Sequence, residues 1–138
     1  MMNGKTEIGL LIVRLVLGVT FLVHGLDKFQ SGLGNIAGWF ESIGLPGFLA
    51  YVTAIIETVG GAAIILGLGT RIAAALFGVL MIGAMFSVKF SAGFTGNGQS
   101  AGFELDLALL ALSVLLALTG SRYLAVDSLL PGSRQTES

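Results

Sequence analysis

The chain has 138 residues, of which 54% are hydrophobic and 11% charged, with a net charge of −1 and a mean hydropathy of +0.92. A charged share less than half the usual ~25% leaves too little polar surface for a water-soluble domain, and the near-neutral balance offers no basic stripe to nucleic acid. The absence of cysteine excludes disulfides, thiolate metal sites and any thiol relay carried by this chain alone.

Four apolar stretches, residues 8–26, 48–68, 72–88 and 103–120, are each about long enough to cross a ~30 Å hydrocarbon layer as a helix. Lys5 precedes the first stretch in the manner of a signal peptide, but Arg14 interrupts it and no small-x-small cleavage site follows, so it is read as a retained span. Residues 27–47 hold a short amphipathic piece. Ile36, Trp39, Phe40 and Ile43 follow i, i+3, i+4, i+7 spacing, and Gly44-Leu45-Pro46 ends it. A helix bearing Trp in that pattern is expected to anchor at the headgroup boundary; a lid over a pocket is the other reading.

The second and third spans are joined by Gly67-Leu68-Gly69-Thr70-Arg71, a turn so short that it forces an antiparallel hairpin, with Thr70 as the expected cap. Residues 91–102 are rich in Gly, Ser and Asn, with Ser100 the expected cap of the fourth span, and the tail after Asp127 is polar and expected to fray. The expected fold is an all-α membrane protein. It is a single domain over residues 1–138, an antiparallel bundle of four transmembrane helices with an interfacial helix between the first two spans. Lys5, Arg71, Arg122 and Arg134 fall on one side and Lys28 and Lys89 on the other, which predicts both termini in the cytoplasm.

Ionisable residues in a span are costly and mark functional sites by default. At ~100° per residue, Arg14, Gly18, Phe21, Gly25 and Lys28 form one stripe of the first span, flanked by His24. Ala50, Thr53, Glu57, Gly61 and Ile64 form one on the second, beside Gly60. Arg71, Ala75, Gly78, Ile82, Met85 and Lys89 form one on the third, and Glu104, Ala108, Ala111, Leu115, Leu118 and Arg122 one on the fourth. Each stripe mixes charge with small residues, which let membrane helices approach, so the charged stripes are the expected buried ones. Gly18, Gly25, Gly60, Gly61 and Gly78 are thereby packing residues.

Glu57 lies ~13 Å into its span. His24, Lys28, Glu57, Lys89 and Glu104 are expected to edge a cavity open to the outer leaflet or outer face, with Arg14 below it. Together the six are the candidate ligand-binding set, and Glu57 is the candidate proton-exchanging, catalytic residue. Glu57 could instead pair with Arg14 or a lysine only to lock packing. Asp106 lies ~200° round the helix from Glu104, so the two cannot face one axis, and either acid could answer the helix dipole. One histidine among scattered carboxylates gives no metal-ligand spacing, and no nucleophile set, phosphate loop or dinucleotide fingerprint is visible.

Arg14-Leu-Val-Leu-Gly18-Val-Thr-Phe-Leu-Val-His24-Gly-Leu-Asp-Lys28-Phe resembles the opening motif of the DoxX family. Glu57-Thr-Val-Gly-Gly61, continuing to Gly67-Leu-Gly-Thr-Arg71, is similar to its second block. Gly102-Phe-Glu104 resembles the third, and Gly120-Ser-Arg122-Tyr-Leu-Ala-Val-Asp127 the fourth. The closing block of the family usually reads Gly-Pro-Gly-Arg or Gly-Ala-Gly-Arg, where this chain has Thr119-Gly120-Ser121-Arg122. The resemblance implies a small four-span protein of the bacterial cell membrane, labelled an oxidoreductase, with relatives in thiosulfate–quinone oxidoreductases and in tolerance (detoxification) of catechols, quinones or thiol stress.

Two function classes follow. One is a membrane oxidoreductase or redox-complex subunit acting on a quinone or catechol, with a quinone or a partner oxidoreductase carrying the electrons, since no cofactor motif is evident. The other is a non-enzymatic scaffold or small-solute carrier. Four spans without inverted repeats or broken helices argue against a conventional transporter.

Overall fold

The structure is a computed structural model that describes residues 3–89, 92–98 and 102–129, with the side chains of 88 and 89 outside that description. It is all-helical, with no β-strand among the described residues. Five α-helices run in the order α1 (Gly4–Ser31), α2 (Leu33–Ser42), α3 (Phe48–Leu66), α4 (Thr70–Ala84) and α5 (Glu104–Thr119). A π-helical turn, Met85–Lys89, extends α4, and a 3-10 turn, Val126–Leu129, follows α5. Ser100 and the tail from residue 130 lie outside the described residues.

Three helices are long and apolar enough to cross a membrane: α1, α3 and α4 with its extension to Ser87. The fourth, α5, has 16 residues, ~24 Å of rise. The outward faces of all four are apolar: Ile12, Val16, Val19 and Val23 on α1, Ile55 and Val59 on α3, Ile72 and Val79 on α4, Leu107 and Leu118 on α5 are exposed. Such an exterior suits lipid as the solvent, and this is a membrane protein.

The ends of α1 lie beyond the expected 8–26. The Asn3 side chain accepts the Thr6 N–H at 2.9 Å, and Glu7 in the first turn and Lys28 in the last complement the helix dipole. At the other end of the hairpin turn, Gly67 closes α3 in the left-handed region (φ 75°), so that its N–H and that of Leu68 satisfy the last carbonyls. Thr70 is not the cap of α4. Gly69 holds that position, no side chain caps the helix, and the buried Thr70 hydroxyl has no hydrogen-bond partner.

α1 packs chiefly on α3, α4 chiefly on α5, α3 meets α4 and α5 returns to α1. The α1–α3 seam is backbone on backbone. A methyl on Gly61 would lie 2.6 Å from the Leu22 amide, one on Gly18 2.9 Å from the Gly61 carbonyl, and one on Gly25 2.7 Å from the Thr58 amide. Gly60 makes room for the Phe77 ring, whereas a methyl on Gly78 would meet Leu110 at an ordinary 3.6 Å. Phe77 stacks on Phe21 with centroids 3.8 Å apart, in a core shared with Leu17, Ile64, Met81, Leu109 and Leu116.

Two expected stripes are corrected. On α5 the buried face is Asp106, Leu109, Ser113 and Leu116, while Glu104, Ala108, Ala111, Leu115 and Leu118 are exposed. On α4 the buried face is Thr70, Ala73, Ala74, Phe77, Gly78 and Met81, with Arg71, Ala75 and Ile82 exposed. Small residues alone did not mark burial on these helices: Ala75, Ala108 and Ala111 face outward, while Ala73, Ala74 and Gly78 are buried beside Phe77, Met81 and Leu109.

Candidate functional site: a capped cavity at one end of the bundle

A cavity of about 350 Å³ lies where the carboxyl ends of α1 and α4 meet the amino ends of α3 and α5. α1 contributes Phe21, His24 and Lys28; α3 contributes Leu49, Val52, Thr53 and Glu57; α4 contributes Val79, Leu80 and Met81, and its π-helical extension Ser87; α5 contributes Leu105, Asp106 and Leu109. The expected headgroup anchor, α2, also supplies wall: Trp39 and Phe40 line the cavity, as does Leu45 just beyond it. The Phe21–Phe77 stack and Leu109 close the floor.

Four ionisable groups face this space. The Lys28 ammonium donates to both oxygens of the Glu57 carboxylate, at 2.8 and 3.1 Å. Glu57 is 4% exposed, whereas the Lys28 side chain, at 21%, keeps an outlet to its surroundings. The close α1–α3 seam at Gly25 and Gly61 brings the pair together. His24 Nδ1 lies 2.7 Å from the Thr20 carbonyl, one turn back. A carbonyl only accepts, so Nδ1 donates to it and Nε2 is the ring nitrogen left for the cavity. Asp106, also 4% exposed, faces the cavity from the first turn of α5. Among the described residues, no three His, Cys, Asp or Glu side chains converge on a metal-sized site.

The candidate set therefore divides. His24, Lys28 and Glu57 come together at the cavity. Glu104 does not line it; it is exposed on the far face of α5, where it answers the helix dipole. The acid that faces inward is Asp106, on the face that also holds Ser113. The Lys89 side chain lies outside the described residues.

Arg14 is not at the cavity but near the opposite end, 1% exposed, and its partner is not Glu57. Its guanidinium donates to the carbonyls of Ser121 (3.2 Å), Tyr123 (3.0 Å) and Leu124 (2.9 Å) and to the Ser121 hydroxyl (3.4 Å). Those bonds hold Leu124 at φ 50°, a left-handed conformation uncommon outside glycine. Nearby, the Asp127 carboxylate accepts the Gly69 N–H at 2.7 Å, the Asp127 N–H reaches the Gly67 carbonyl, and Arg71 Nε donates to the Ala117 carbonyl at 2.9 Å. A latch thus ties the segment after α5 to α1 and to the α3–α4 turn.

The sequence model of the DoxX family matches residues 9–90. The chain is 51% identical to a protein named "Putative oxidoreductase CatD" of Bacillus subtilis (strain 168), over 91% of this chain and 90% of that protein. It is 32% identical to "Uncharacterized membrane protein Rv3486" of Mycobacterium tuberculosis, over 92% and 84% of the two chains. It is 30% identical to "Inner membrane protein YqjF" of Escherichia coli (strain K12), over 94% and 97%. No solved structure matches the chain. A family match over more than half the chain, joined to near full-length relatives of which two carry membrane in their names, makes this protein a member of the DoxX family.

Proposed function

We propose that this chain is a one-domain, four-span antiparallel bundle of the bacterial cell membrane with both termini in the cytoplasm. In this reading it works as an oxidoreductase, or as the membrane subunit of a redox complex, on quinone- or catechol-type molecules held in the cavity. The crossing of α5 is part of this reading; its ~24 Å spans a locally thinned bilayer, with Gly102, Phe103 and the latch extending it. The observation that carries the functional reading is the cavity itself: three aromatic side chains, Phe21, Trp39 and Phe40, beside a cluster of Lys28, Glu57, His24 and Asp106. Mostly apolar walls with a few convergent polar groups are the usual form of a small-molecule site.

A flat ring fits between the aromatic walls. A quinone or catechol oxygen accepts from the Lys28 ammonium, and a hydroxyl of the reduced form can donate to His24 Nε2. Both Glu57 oxygens accept from Lys28, so its first role is to hold the ammonium, and it takes a proton from a ligand hydroxyl only as a ligand oxygen displaces it from that pairing. The electrons belong to a partner oxidoreductase or to a second quinone, because the sequence has no cysteine for a thiol relay and no visible cofactor motif. That dependence also supports the non-enzymatic alternative, an assembly subunit for such a partner. A solute carrier is the weaker alternative, since the chain shows no inverted repeat and Phe21, which lines the cavity, stacks on Phe77 in the core.

The test is turnover in lipid nanodiscs. Purified wild type, mixed with a short-chain quinone and a reductant, should turn over, and Glu57→Gln should abolish it. Quinone binding without turnover, together with a co-purifying oxidoreductase, would favour the assembly subunit.

A further inference from the structure

A ligand that enters this cavity has to pass its rim, and the rim is greasy. Val52, Val79 and Leu105 line the cavity and yet are 41%, 66% and 50% exposed on the outer, apolar surface of the bundle. Among the described residues, α2 supplies further cover through Trp39 and Phe40. This ten-residue helix has no buried residue and no side-chain cap, and it sits between two glycines in the left-handed half of backbone space, Gly32 (φ 91°) and Gly44 (φ 88°). Glycine takes such conformations without the steric cost that other residues incur, and hinges often form where a few terminal positions absorb the backbone change. The Trp39 ring faces the cavity while 48% exposed. Moving α2 would uncover aromatic wall but break no buried ion pair.

We propose that α2 is a gate, swinging on Gly32 and Gly44, that admits lipid-dissolved aromatic molecules sideways from the bilayer into the cavity. The proposal rests on the cavity being a ligand site. It adds the route and the moving part: a ligand already partitioned into the membrane passes the Val52–Val79 rim when α2 lifts, and closure seats Trp39 and Phe40 against it. Lids of this kind commonly set the rates of binding and release.

The chain has one tryptophan, in the gate, and no cysteine, so both a reporter and a lock are available. A Cβ built on Gly47 lies 3.4 Å from the Ala37 Cβ, close to the ~3.5–4.5 Å of a disulfide. Gly47 has an ordinary φ of −61°, and the two closer atoms, Oε1 and Cδ, belong to the Glu41 carboxylate, the end of a flexible side chain. Ala37→Cys with Gly47→Cys should therefore bolt α2 to the start of α3.

In phosphatidylcholine nanodiscs, a benzoquinone with a short alkyl tail should quench Trp39 saturably. The reduced double variant should match wild type, which also shows that it folds. Oxidation should slow the quenching about tenfold or more, with the final amplitude unchanged, and the rate should follow the quinone's mole fraction in the bilayer. An unchanged rate after oxidation would overturn the gate while leaving the cavity as a ligand site. Equally fast entry by a sulfonated quinone that stays in water would overturn the lipid route. No saturable quenching of any form would remove the ligand site itself.

Discussion

Neutralising Lys28 should destabilise the protein more than neutralising Glu57, although the two side chains form one ion pair. Both hydrogen bonds are short, 2.8 and 3.1 Å. At ~3 Å and an effective dielectric of about 20, the attraction is about 5 kcal/mol, most of it offset by the desolvation of two charges. The unequal exposure decides the single variants. In Lys28→Met the Glu57 carboxylate is stranded at 4% exposure, the situation that costs about 3–5 kcal/mol. In Glu57→Gln the amide oxygen still accepts from the ammonium, whose side chain is 21% exposed and can turn toward the headgroups, so about 1–2 kcal/mol is expected. Lys28→Met with Glu57→Gln leaves no charge behind and should recover about 2 kcal/mol relative to Lys28→Met alone. Equilibrium unfolding of the four proteins in mixed micelles measures the cycle. Equal single effects that simply add would refute the claim that Glu57 is the deeper and more dependent partner.

The latch should be separable from the cavity. Arg14→Met should cost about 3 kcal/mol and expose the amides of residues 121–129 to hydrogen exchange, while quinone binding at the far end persists. On the seam, Gly61→Ala should cost several kcal/mol, because the new methyl meets backbone at 2.6 Å. Gly78→Ala, with ordinary contact and better helix propensity, should be neutral or stabilising by up to about 1 kcal/mol in thermal unfolding. Among the two acids of the first turn of α5, Asp106→Asn should alter quinone affinity and Glu104→Gln should not, as titration of Trp39 quenching will show.

The first half of the chain was more legible than the second, for a physical reason. On α1 and α3 the charge, the glycines and the burial coincide: Arg14, Gly18, Phe21 and Gly25 on one helix, Ala50, Glu57, Gly61 and Ile64 on the other, are all buried. Two helices in backbone contact need glycine along the whole seam, so a small-residue stripe reads correctly there. α4 and α5 also bury larger side chains (Phe77, Met81, Leu109, Leu116), and some of their alanines, Ala75, Ala108 and Ala111, face outward, where they look like seam residues to a pattern search. On α5 the discriminating signal was polarity. Asp106 and Ser113 share a face, whereas Glu104 has only alanine and leucine in line with it until Arg122. Ser113 donates to its own Leu109 carbonyl within the buried core, a weak cue beside a carboxylate. The role of α2 was open because an amphipathic helix carrying Trp has the same pattern whether its apolar face meets headgroups or a cavity.

Depth within a span did not by itself identify the working charges. Arg14 is the most buried ionisable side chain described, at 1% exposed, yet its bonds go to the backbone of residues 121–124, where a planar guanidinium can serve several carbonyls at once as a lysine could not. Six of the charged motif positions fall at the two ends of the bundle, Arg14, Arg71 and Asp127 with the latch and His24, Lys28 and Glu57 with the cavity, while Glu104 lines neither. Joining them is α1, whose Arg14 and Lys28 stand 14 residues apart, ~21 Å along one helix. An arrangement in which one end fixes the chain and the other holds a buried ion pair under a helix of no buried residues puts the rigidity where nothing needs to move. It leaves α2 the element with least to lose by moving, which is the physical ground for looking for ligand entry there and not at the latch.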